Sequence, residues 1–194
     1  GPQMGDGAMA EVIGPVEGGL GFVDALQILR AEYRDALVLA PLDGRKRWYD
    51  GGDKQARMVM TARAPVQAMR LGVLGAEFCR EACGGLLARN GLTGQDVDFF
   101  VCAQAGAWFG EACARTLDLP DHKYTPPEDH FQKYGHLLAA SAPLNLWVAW
   151  TTGKLRKGDL VLIYSPGVGF TQAAALLRWS LDPPTAEQKQ AVVP

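Results

Sequence analysis

The sequence predicts an α/β fold in which helices pack on a sheet. Three observations carry that reading. Short apolar runs bounded by glycine and polar turns alternate with helical stretches through the second half of the chain. Residues 64–90 hold apolar side chains at helical spacing. The composition is that of an ordinary globular chain, 48% hydrophobic and 21% charged. With 194 residues, the chain slightly exceeds one domain of about 150 residues and can bury roughly 70% of its unfolded surface.

The elements follow in order. Residues 8–16 (AMAEVIGPV) form a short apolar run bounded by glycines and read as a strand. Residues 22–29 and 36–40 read as further strands, joined through the polar RAEYRD stretch. Residues 42–53 (LDGRKRWYDGGD) form a loop carrying the basic trio Arg45, Lys46 and Arg47. In the helix over 64–90, Val66, Met69, Val73, Leu74, Phe78, Ala82 and Leu86 recur at three and four, which predicts one buried stripe. Gly84 and Gly85 imply close packing or a break there, and Asn90-Gly91 suits a left-handed cap.

Residues 98–103 (DFFVCA) read as a buried strand, followed by Gln104-Ala105-Gly106 and a helix over 107–117. Residues 120–133 form a polar loop around Pro126-Pro127. The segment 141–152 is a helix with Pro143 in its first turn, where a missing N–H costs little. Strands over 159–165 and 170–179 flank the tight loop 166–169 (PGVG). From Asp182 onward no apolar stripe recurs, so the tail over 182–194 is expected to be disordered.

Several function classes drop out early. Nineteen Lys and Arg against 21 Asp and Glu give a formal charge of −2. That near-balance removes the counterion-release drive for nucleic-acid binding. The longest apolar stretch, 137–150, is interrupted by Ser141, Pro143 and Asn145 and falls short of the roughly 20 residues that span a membrane. Cys79, Cys83, Cys102 and Cys113 lack metal-ligand spacing, so no metal site is expected. Without a secretory h-region, these thiols suit a reducing cytoplasmic compartment.

Candidate chemistry is sparse. Cys83 sits beside glycines in EACGG but late in a helix and not at the helix N-terminus that would lower a thiol's pKa, so it reads as a packed thiol. Cys102 ends an apolar strand, where it is either a core residue or a site group. His122 and His130 lie in the proline-bearing loop and are expected to be solvated. His136 follows a Tyr-Gly turn and precedes a helix, where it can serve as a general base, donate to an oxyanion or merely cap the helix. Gly167-Val168-Gly169 is not followed by a helix and so is no phosphate loop; it is a tight turn able to offer a backbone N–H to an oxyanion.

Taken together, these pieces resemble the C-terminal half of β-ketoacyl-ACP synthase III and its relatives in the thiolase superfamily. Residues 4–13 (MGDGAMAEVI) are similar to the GDGA strand that ends the family's first half. Residues 34–47 (RDALVLAPLDGRKR) are similar to the strand and basic loop that follow. FFVCAQAG (99–106) stands where the family has a strand running into its HQAN motif, and YGHLLAAS (134–141) stands at its GNTSAAS position. GKLRKGDLVLIYSPGVGFTQAAALLRW (153–179) resembles the closing strands and their GGGF-type loop.

The resemblance implies a thiolase-like half with a mixed five-stranded sheet and helices packed on it. Residues 1–16 would end the first half, 17–181 would form the C-terminal domain, and 182–194 would trail behind. It also implies a decarboxylating Claisen condensation or an acyl transfer on acyl-CoA or phosphopantetheine-linked thioesters, with no further cofactor. The attacking cysteine belongs to the family's first half, expected here from an absent segment or a partner. The motif histidine falls on Ala103 and the motif asparagine on His136, whereas Gly169 carries over unchanged. Ala103, Gln104, Gly167 and Phe170 are then the expected substrate-side residues, and Arg45, Lys46 and Arg47 the residues facing an acyl carrier protein. The alternative is a catalytically silent subunit forming a dimer interface or pocket wall. A weaker third reading is a hydrolase using Cys102 or Cys113 with His136. A half of this kind also exposes an apolar face, expected on the helices over 64–87 and 137–150, and seeks its other half or a copy of itself.

Overall fold

The computed structural model describes residues 4–41, 58–167 and 169–190. Their strands and helices run β1 (Gly21–Leu29), β2 (Val38–Pro41), β3 (Met58–Thr61), α1 (Pro65–Arg89), β4 (Phe99–Cys102), α2 (Phe109–Thr116), α3 (Phe131–Tyr134), α4 (Ser141–Thr151), β5 (Leu160–Gly167), β6 (Thr171–Arg178) and α5 (Ala186–Gln190). The main sheet has the order β1-β6-β5-β4. β1 and β5 each run antiparallel to β6, whereas β4 runs parallel to β5 with Phe99 opposite Val161 and Cys102 opposite Tyr164. The fold is therefore the expected mixed α/β sheet.

Among the described residues that sheet holds four strands. The run expected as a fifth finds another partner, because β2 pairs with β3 in a separate ribbon, Val38 opposite Thr61. β3 is only four residues long, too short for its pattern to be read from sequence. The connection 42–57, with the expected basic trio Arg45–Arg47, lies outside the described residues.

Side-chain alternation builds two apolar layers. Leu162 and Tyr164 of β5, with Ala174 and Leu176 of β6, pack under α1 and α2. On the opposite face, Phe99, Val101 and Val161 pack against Ala149, Trp150 and Leu155. β4 is buried on both faces, as its unbroken FFVC run requires. α1 begins with Pro65 at its first turn and runs unbroken to Arg89. Gly85 lies close on β1, where an added Cβ would meet Leu26 at 3.3 Å. Gly85 thus marks close packing, Gly84 leaves its Cβ position open, and neither breaks the helix.

Three expectations need correction. Residues 8–16 form no strand; Val12 and Ile13 stand exposed, since among the described residues no strand lies alongside to take their backbone hydrogen bonds. The α1 stripe is buried only from Gly75 onward, where the helix meets α2 and the sheet. Val66, Met69 and Val73 are 62%, 67% and 74% exposed. The tail expected to be disordered carries α5, capped reciprocally by Thr185 and Gln188, with the Trp150 indole N–H donating to Asp182 O at 2.8 Å.

The α4-side face of the sheet is also incompletely covered. Ala25, Gln27, Ile163, Ser165, Ala173 and Ala175 line an open depression of about 350 Å³. Together with the bare start of α1, this leaves apolar surface that none of the described residues covers. The isolated chain is therefore expected to self-associate and to bind an apolar fluorescent dye; a sharp monomer in light scattering that leaves the dye dark would contradict this.

Candidate functional site

β4 and β5 are parallel, so their carboxyl ends emerge on the same side of the sheet, the position where α/β sheets place ligands. Ala103 continues β4, its N–H donating to Tyr164 O at 3.0 Å. Beyond it, Gln104 is 2% exposed and its Nε2 donates to Thr125 O at 2.9 Å. Asn145, on α4, is likewise buried, and its Nδ2 donates to Cys102 O at 2.9 Å. These two amides tie the end of β4 to the proline loop and to α4.

His136 is held beside this end. α3 is a single helical turn between His130 and Gly135, whose positive φ of 71° reverses the chain toward His136. Leu137 N–H donates to Ser141 Oγ at 3.2 Å and pins the turn that follows. From the other side, Gly5 N–H donates to His136 O at 3.2 Å. A Cβ on Gly5 would stand 1.8 Å from Tyr134 O, so only glycine allows that approach. Burial pulls the His136 pKa down, and the nearby Gln104 backbone partly offsets it. His136 is thus a neutral, half-buried imidazole at neutral pH.

The surrounding polar groups are unusually short of partners. Gln104 Oε1, Thr125 Oγ1, Asn145 Oδ1, His136 Nδ1 and both ring nitrogens of His130 are all buried without a hydrogen bond. His130 was expected to be solvated and is instead fully buried. The single turn of α3 folds it inward, its ring 6.2 Å from that of Tyr134. Desolvation, with His136 nearby, pulls its pKa down to about 4. His122 is exposed, as expected.

The glycine turn closes β5 at the same end of the sheet. β5 runs on through Pro166 and Gly167, and Gly167 pairs with Thr171. Nothing lies within 4 Å of where a Gly169 Cβ would stand, so that backbone faces open space. Phe170 packs inward instead, 5.8 Å from the Phe78 ring and 6.2 Å from that of Tyr33, while its carbonyl accepts from Arg30 N–H at 2.8 Å. Of the expected site residues, Ala103, Gln104 and His136 come together, and Gly167 and Gly169 flank the same strand ends. Phe170 braces the turn, and Ala103 presents no polar side chain.

The thiols belong to the core. Cys79, Cys83, Cys102 and Cys113 are all buried in the layer under α1 and α2, with Cys79 and Cys83 Sγ atoms 3.8 Å apart. Burial pushes the Cys79 and Cys102 pKa values well up. Among the described residues no imidazole bonds to any of them, so the reading as a Cys–His hydrolase loses its geometry. Asn145 and His130 were not recognised as site residues from sequence. The signal for Asn145 was an amide interrupting an apolar run; for His130 none stood out within its polar loop.

This architecture, a mixed sheet with helices on both faces and a polar cluster at the carboxyl ends of its parallel pair, is that of a thiolase-like half. Residues 87–179 match the family described as 3-oxoacyl-[acyl-carrier-protein] synthase III C terminal. The chain is 35% identical over 186 residues to the β-ketoacyl-ACP synthase III of Allorhizobium ampelinum, and 33% identical over 184 residues to that of Brucella anthropi. In each case the match covers 91% of this chain and 51% of the relative. Among solved structures, β-ketoacyl-ACP synthase III from Thermus thermophilus superposes with a TM-score of 0.69 at 29% identity, over 87% of this chain and 49% of that one. The priming β-ketosynthase of the R1128 polyketide pathway shares the fold at a TM-score of 0.71 and 20% identity, over 88% and 48%. The chain thus corresponds to the C-terminal half of β-ketoacyl-ACP synthase III-like proteins of the thiolase superfamily, and spans about half the length of the curated relatives it matches.

The depressed His130 sets a pH dependence. Its native pKa of about 4 lies below the unfolded value of about 6.5, so the unfolded chain takes up the proton first. Stability is full above about pH 6.5 and declines as pH falls toward 4, by on the order of 2 kcal/mol for this group. Urea unfolding at pH 7 and pH 4.5 should show that loss, reduced in His130→Gln; equal stabilities at the two pH values would contradict a neutral buried imidazole.

Proposed function

We propose that the chain is the C-terminal part of an acyltransferase or condensing enzyme acting on acyl thioesters, acyl-CoA or acyl-ACP, whose nucleophilic cysteine lies outside these residues. The observation that carries this reading is His136, a neutral imidazole beside the end of β4, on the side of the sheet where Gly169 turns its backbone to open space. The thiol of the other half attacks the thioester carbonyl, and His136 takes the thiol proton. The Gly169 backbone supports the oxyanion. Collapse forms an acyl-enzyme thioester and expels the carrier thiolate, which recovers the proton from His136. The acyl group then passes to the acceptor. A cytoplasmic assembly with a nucleophile-bearing half or ketosynthase-like subunit, served by an acyl carrier protein, completes the reading.

Ala103 favours a second reading. The decarboxylating branch asks for a second donor on the enolate oxygen, and an alanine supplies none. That supports acyl transfer over condensation, and it equally suits a catalytically silent subunit that walls the pocket. His136→Ala in the assembled complex separates the two. Acyl transfer from acyl-CoA should fall at least about 100-fold, the scale of a lost general base, with assembly intact. Unchanged transfer would remove the enzymatic role and leave the silent subunit.

A further inference from the structure

His130 is the least explained group of the fold. It is fully buried, its two ring nitrogens have no partner, and only the single turn of α3 and Gly135 separate it from His136 in sequence. Buried imidazoles ordinarily pair both nitrogens, with protein or with ordered water. On the other side of α3, His136 turns Nδ1 into the protein, where it too lacks a partner. An imidazole base needs its inner nitrogen held, because that hydrogen bond decides which nitrogen carries the proton and which faces the reacting group. The groups that ordinarily do this are carboxylates. Asp129, the nearest carboxylate along the chain, bonds instead to Lys154 at 3.3 Å.

We propose that His130 is a positioning residue for His136. Its buried imidazole holds the inner nitrogen of His136 through one bridging water, and so sets the tautomer that His136 presents to the reacting group. The unpartnered amide oxygens of Gln104, whose Nε2 donates to Thr125 O, and of Asn145, whose Nδ2 donates to Cys102 O, accept the remaining protons of the cluster. Two imidazoles flanking α3 then share the work for which Ala103 has no side chain. A neutral His130 can donate and accept at once, which a cation could not, and its depressed pKa agrees with that role.

The inference rests on His136 serving the acyl-transfer site, yet its test does not depend on turnover. The chain carries three histidines, so labelling them with nitrogen-15 in this chain alone, within the assembled complex, resolves each ring. In the unsubstituted chain His136 should hold one tautomer. His130→Phe should give a mixture of tautomers, and His130→Gln, whose amide can donate and accept, should restore a single one. Near-ultraviolet dichroism of the tryptophans checks folding; should the Phe variant not fold, Leu replaces it in the comparison. In acyl transfer, kcat should fall about 10-fold or more in the apolar variant with KM within about 2-fold, and recover in Gln. A His136 spectrum identical in the apolar and Gln variants overturns the inference. Unchanged transfer in His136→Ala with the tautomer effect present overturns only the enzymatic reading.

Discussion

The parallel pairing of β4 with β5 is the constraint on which the rest of the molecule depends. Four residues of β4 are buried on both faces, and the strand's backbone pairs with β5, with Tyr124 at Phe100 and with groups at its ends. Each large apolar side chain fully buried there contributes about 1.5–3 kcal/mol, so the strand cannot slip without exposing two layers at once. Its carboxyl end is therefore fixed in space. Everything polar that follows, Ala103 N–H on Tyr164, Gln104 on Thr125 and Asn145 on Cys102, hangs from that fixed end.

That arrangement explains why the polar cluster is buried and yet incompletely paired. Burying an unpaired amide or imidazole costs about 1–3 kcal/mol, and a structural core would have no reason to gather six such atoms around one strand end. Sites that bind or transfer groups do, because pre-arranged dipoles act most strongly where water is excluded. The four cysteines make the contrast. They are also buried together, but in a largely apolar layer, and burial holds Cys79 and Cys102 as thiols. Under the proposed reading, chemistry on this chain gathers at the carboxyl end of β4, and the attacking sulfur is expected from outside these residues.

Much of the architecture was legible in the residues. The apolar runs of β1, β4, β5 and β6 and the periodicity of α1, α2 and α4 define their elements to within a few residues, because each buries a face whose period matches its geometry. Where reading failed, local pattern and tertiary context diverged. Residues 8–16 carry a strand's composition but no neighbour to pair with. Val66, Met69 and Val73 continue a stripe past the point where anything covers it. The short helix after Thr185 carries no apolar stripe to betray it; its reciprocal cap of Thr185 and Gln188 starts it instead. In the site, His136 and the glycine turn were visible from their turn chemistry. His130 was not, since burial of a polar loop residue is decided by how one turn of helix folds and not by its neighbours in sequence.

The most direct test of this account is where an acyl group lands. The complex of this chain with its nucleophile-bearing half, incubated with acyl-CoA and digested for mass spectrometry, should carry the acyl mass on a cysteine outside these 194 residues, with Cys79, Cys83, Cys102 and Cys113 unmodified. An acyl thioester on Cys102 or Cys113 would contradict it, because the chain would then hold its own nucleophile in the buried layer under α1 and α2.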